Sequence, residues 1–196
     1  MRSELIGSTI GALAALLIGA GSPAGAREGP GNAGLVPLLA PQAGNKACYA
    51  RRYDAAHLHA HPHQCITAMA FLLNVEAYDE KEVKDDERPE DKVYYVFAMS
   101  VARRGDKRLL HTSGDCYGSD KISCVVDCDG GHVMLDKMPP ADTLIVRLNE
   151  EGVRMFHDCD DKEGVLLTSG TDDKTFRIDK VPGNSCRALQ EMITGK

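Results

Sequence analysis

Residues 67–77, TAMAFLLNVEA, carry the reading of the fold. Thr67, Met69, Phe71, Leu73, Val75 and Ala77 fall on one face, and Asn74 and Glu76 on the other. A period of two with apolar residues on one side predicts a long strand with one buried face. Residues 93–101 repeat the pattern, with Val93, Tyr95, Phe97, Met99 and Val101 in register. Between them, residues 79–92 are almost all charged, with one proline, which predicts a solvated connection between two antiparallel strands.

Working outward, the downstream chain breaks into short strands at close spacing. Residues 108–112 lead into a Gly-Asp-Cys-Tyr-Gly turn region. Residues 121–128 alternate, with Ile122, Cys124, Val126 and Cys128 sharing a face, and Asp129-Gly130-Gly131 reads as a tight turn. Residues 132–136, 142–148, 152–156, 164–168 and 175–180 complete the series, with turns at 149–152 and 171–174. The expectation is an all-β fold of about nine strands, a single antiparallel β-barrel or β-sandwich. Short connections favour the barrel. Two helical segments flank the strands. Asp54 is placed to cap one over residues 54–61, which Pro62 ends, and Asn184 to cap another through Met192.

Upstream, residues 1–26 read as a secretory signal peptide. Arg2 supplies the positive start, residues 10–20 are apolar, and Ala24-Gly25-Ala26 fits a cleavage site before Arg27. Residues 27–47, rich in Gly, Pro and Ala, read as a flexible leader in which Leu35 to Leu39 alone dock. The folded domain is expected over 48–196. The destination is periplasmic or secreted, a compartment in which thiols pair. A net charge of −6 argues against nucleic acid and anionic lipid as partners, leaving a protein or small ligand. No stretch after the leader is apolar enough for a transmembrane helix.

Seven cysteines follow the signal segment, so at most three bridges form within the chain and one thiol is left. Cys124 and Cys128 lie on one face of one strand, about 13 Å apart at ~3.3 Å per residue, too far to bridge. Cys116, across a turn, is a partner for either, and Cys159 for the other. Cys48 and Cys186 are placed to clasp the ends of the domain, which leaves Cys65 as the unpaired thiol.

Four of the seven histidines, His57, His59, His61 and His63, lie in one tract. In an extended chain all four share a face. In a helix only His57 and His61 align. Either arrangement offers nitrogen ligands to zinc, copper or nickel, and otherwise the tract is a solvated polar edge. Asp127, Asp129, Asp158, Asp160 and Asp161 form acidic turns without the ligand spacing of an EF-hand. Catalytic signals are thin. No Gly-x-Ser-x-Gly elbow occurs, Ser119 and Ser169 fall in expected turns, and Cys65 and His63 do not form a convincing nucleophile pair. No catalytic residue and no cofactor are therefore assigned, and a hydrolase-type enzyme is the last alternative.

From Cys48 onward the chain resembles a group of uncharacterised exported bacterial proteins. The residues that carry the resemblance are Cys48-Tyr49, the run from Tyr53 to Leu58, His61-Pro62, the run from Cys124 to Gly131, and Asp172-Asp173 with Phe176. It implies export, most often to the periplasm, and no activity or ligand. Together these readings predict an exported, disulfide-stabilised β-protein that acts by binding, with metal binding through the His tract as the alternative.

Overall fold

A computed structural model describes residues 31–79, 89–126, 130–138, 142–157 and 163–195. The signal segment, Cys128, Cys159 and all five aspartates of the acidic turns lie outside these residues.

Nine strands and two helices follow one another as β1 (Lys46–Arg52), α1 (Ala55–Ala60), β2 (Ile66–Ala77), β3 (Val93–Arg103), β4 (Leu110–Tyr117), β5 (Ile122–Val125), β6 (Gly131–Met138), β7 (Thr143–Met155), β8 (Val165–Leu167), β9 (Thr175–Val181) and α2 (Arg187–Thr194). Each of β1 to β6 pairs antiparallel with the next, β6 pairs with β7, β7 with β9, and β9 returns to β1. Eight strands thus close into a barrel, and β8 is an added strand on the far half of β7. Closure removes the open edges that a sandwich would leave.

The alternation of β2 and β3 points Met69, Phe71, Leu73, Tyr95, Phe97 and Met99 into one interior cluster with Tyr49, Leu135, Val146 and Phe176. Phe71 and Phe97 stack with centroids 5.3 Å apart. An eight-stranded barrel is just wide enough for side chains to fill, and here they do. The outward positions Cys48, Leu72 and Ala98 are also buried, because α2 lays Leu189 over them. This double burial explains why β2 reads almost continuously apolar.

Four expectations need correction. Strand β1 carries too little alternation in KACYARR to be recognised alone, and pairing with β2 and β9 imposes it. The Gly-Asp-Cys-Tyr region belongs to β4, since pairing with β3 and β5 overrides its turn composition. The expected turn at 149–152 is a bend inside the single strand β7. There the Gly152 N–H donates to the Asn149 side chain at 2.7 Å and Gly152 takes φ +78°. A Cβ on the neighbouring Gly131 would lie 2.1 Å from the Gly152 carbonyl oxygen, so β6 approaches this bend only as glycine.

The fourth correction concerns the leader. Leu35 and Leu38 dock in the interior cluster as expected, but docking is not confined to residues 35–39, and from Gly31 onward the leader closes one end of the barrel. Asn32 donates to the Val93 carbonyl, Gly34 N–H to the Gly118 carbonyl, and the Tyr95 hydroxyl to the Leu39 carbonyl. Composition misleads here because a plug needs no periodicity, only two leucines and backbone partners.

Two disulfides join described residues, Cys48–Cys186 and Cys116–Cys124. The second links directly opposed residues of β4 and β5. Cys65 carries an exposed free thiol.

Candidate functional site

The end of the barrel opposite the leader plug gathers the His tract. Asp54 stands before α1 and accepts the His57 N–H at 2.8 Å, satisfying one of the orphan donors of the first turn. His61 ends the helix, its N–H bonding back to the His57 carbonyl. The helical geometry decides the orientation of the tract. His57 and His61 face each other with ring centroids 4.5 Å apart, while His59 and His63 are exposed and joined to neither ring. His57 stacks on Tyr53 at 4.7 Å and meets the Gln64 side-chain oxygen at 2.9 Å through Nε2. Gln64, 3% exposed, donates in turn to the Ile66 carbonyl.

Two acidic residues hold this end together. Asp173 is buried and accepts the N–H groups of Cys65 at 2.6 Å and Ile66 at 3.1 Å. Asp172 accepts the His63 N–H at 2.9 Å and stands 4.0 Å from His61 Nδ1. Arg104 closes the remaining side by donating to the carbonyls of Gln64 and Leu58. Sequence reasoning did not single out Gln64 or Arg104, and it placed the Asp172-Asp173 doublet in a turn without a role. The doublet was the available signal, since two carboxylates in one turn imply donors beside them. Replacing Asp173 with alanine leaves two backbone donors without their acceptor, so stability is expected to fall by about 2–3 kcal/mol. Urea denaturation measures this, and an unchanged midpoint would contradict the assigned role.

Tyr53 links this end to the core. Its hydroxyl donates to the Arg177 carbonyl at 3.2 Å. Burial pushes the phenol up to about 12; the Arg51 guanidinium over the ring opposes this, and Asp179 and Asp173 reinforce it. Burial, with Asp142 adding to it, also raises Tyr49 on the inner wall. A phenol that holds its proton more tightly when folded stabilises the fold fully below its unfolded value of ~10. That contribution is lost as pH rises from about 10 towards 12. Unfolding midpoints are therefore expected to fall over this window, and Tyr53→Phe should flatten the decline.

Among the described residues, no three or more His, Cys, Asp or Glu side chains come together as a metal-binding group. The tract offers two facing imidazoles, with His59 and His63 outside that pair.

A second concave feature lies on the outer wall. Alternation leaves Ala50, Ala68, Ala70, Ser100 and Ala102 facing outward on β1 to β3, beside α2. These small residues floor a groove of about 340 Å³, also lined by Arg52, Leu109 and Leu189. Cys186 is part of its lining, so the Cys48–Cys186 bridge anchors the helical wall of the groove. Leu109 is 55% exposed, large for a leucine beside an apolar floor. No helix among the described residues is long and apolar enough to cross a membrane.

Comparison with protein-family models, curated proteins and solved structures finds no match, so the function rests on these sites themselves.

Proposed function

We propose that this chain is an exported protein that acts by non-catalytic binding at the outer wall of its barrel. The observation that carries the reading is the Cys48–Cys186 clasp. It joins residues 138 apart, which suits an oxidising extracytoplasmic compartment, and it fixes α2 as one wall of the groove. The signal-like residues 1–26 and the resemblance to exported bacterial proteins support the same location. The filled interior directs binding to the outside. An apolar floor with Arg52 beside it suits an apolar group that carries a negative charge.

The test has two arms. Expressed with its leader in a bacterial host, the protein should be recovered from the periplasm beginning at Arg27. The purified protein should bind anilinonaphthalene sulfonate saturably, and Ala102→Trp, which fills the groove, should abolish the fluorescence gain while circular dichroism stays unchanged. An uncleaved protein retained in the cytoplasm overturns the location. A dye response indifferent to Ala102→Trp overturns the groove.

A further inference from the structure

We propose that His57 and His61 form a two-imidazole chelate for a divalent cation that favours nitrogen ligands, copper(II) above nickel(II). The four histidines of the tract are alike in the sequence, and the helix makes them unlike. His57 and His61 stand one turn apart on one face, and their rings approach to 4.5 Å between centroids. His59 is displaced by about 200° around the helix from His57, at roughly 100° per residue. His63 follows Pro62, outside the helix, where its backbone is tied to Asp172.

The surroundings of the His57 ring are those expected of a metal ligand. A ligating imidazole usually turns its other nitrogen to a fixed acceptor, which sets the tautomer and the ring orientation. The Gln64 amide nitrogen donates to the Ile66 carbonyl at 2.6 Å, so its oxygen is the atom that meets His57. His57 Nε2 therefore carries the hydrogen, and the Nδ1 lone pair is left for a cation. On His61, Nδ1 stands 4.0 Å from the Asp172 carboxylate, so Nε2 is the nitrogen assigned to the cation. The Tyr53 stack holds the His57 ring in place before any metal arrives. The His61 side chain is 47% exposed, so its ring is open to a hydrated ion.

Two protein nitrogens leave the remaining coordination positions to water. The site is thus weaker than a four-ligand structural centre and suits reversible capture. Imidazole ligands follow the order in which copper(II) exceeds nickel(II). The inference does not depend on the groove, which lies on the outer wall.

Calorimetric titration of the processed, untagged protein with nickel(II) and with copper(II) tests it. The Cys65→Ser background removes the exposed thiol as a competing ligand and reductant. Saturable one-to-one binding below millimolar metal is expected, tighter for copper. His57→Gln and His61→Ala should each weaken it roughly tenfold or more. The joint change His59→Ala with His63→Ala should leave it intact. Because the His61 ring is half exposed, His61→Ala keeps the fold, and circular dichroism verifies this. The proposal is overturned by the absence of saturable binding below millimolar metal. It is equally overturned by binding that survives loss of His57 or His61, or that disappears with His59 and His63.

Discussion

Replacing Cys48 and Cys186 together with alanine is expected to lower the unfolding free energy by up to about 5 kcal/mol. The bridge spans 138 residues, and the chain-entropy model assigns a loop of that length nearly the largest effect a single bridge can have. By the same model the Cys116–Cys124 bridge, with a separation of 8, contributes only about 2.5 kcal/mol. A domain is stable by roughly 5–15 kcal/mol in all, so the first loss is a large share of the whole. The folded state suffers as well. Cys48 and Cys186 lie in the same buried layer as Leu72, Ala98 and Leu189, and α2 is an eight-residue helix, too short to persist without its anchor. Denaturant titration of the double variant beside the parent provides the measurement. A loss below that of the Cys116→Ala/Cys124→Ala variant would show that the clasp does not govern stability. Released α2 should also remove the wall of the groove, so dye binding should fall in the same variant.

Replacing Phe71 with alanine is expected to cost about 3–5 kcal/mol. Phe71 is fully buried inside the barrel, and its ring lies nearly parallel to Phe97 across the β2–β3 pairing. The substitution removes the transfer energy of a large apolar side chain and leaves a cavity that a closed sheet cannot collapse to fill. Continuous hydrogen bonding around the barrel resists inward movement of any single strand. Lost ring stacking adds about 0.5–1.5 kcal/mol to the burial term. Phe71→Leu, which restores most of the volume, should recover more than half of the loss. Equal destabilisation by Phe71→Ala and Phe71→Leu would show that shape, not burial, dominates at this position. Both changes leave the end of the barrel near His57 untouched and should not alter metal affinity.

Strands β2 and β3 were legible because alternation with one apolar face is written directly into residues such as Met69, Phe71 and Leu73. Asp54 as the start of α1 and Pro62 as its stop were legible for the same local reason, a cap and a breaker. The first strand was not legible, since Ala47, Tyr49 and Arg51 acquire a common face only when β2 and β9 lie on either side. Nor was the bend in β7. Asn149 to Gly152 has turn composition, and whether it reverses the chain or only bends it depends on whether β6 and β8 hold both halves.

Of the candidate sites, the sequence marked the His tract but not its geometry. Four evenly spaced histidines are compatible with four ligands on a strand or two on a helix. The Asp54 cap and the Pro62 stop favour the helix and are local, whereas the bonds of Asp172 and Asp173 that fix the chain after it are not. Those partners lie more than 100 positions apart in the chain, and no local rule reaches that far.

By itself the sequence determined the all-β class, the period and length of most strands, the acidic charge and the number of thiols. These are local or additive properties, set by alternation, turn chemistry and composition. Closure of the barrel, the leader as a plug and the burial of Leu72 under α2 were decided by tertiary structure. Each depends on which distant segments come to share a surface, and that follows from the joint burial of both faces of the sheet rather than from any one stretch of chain.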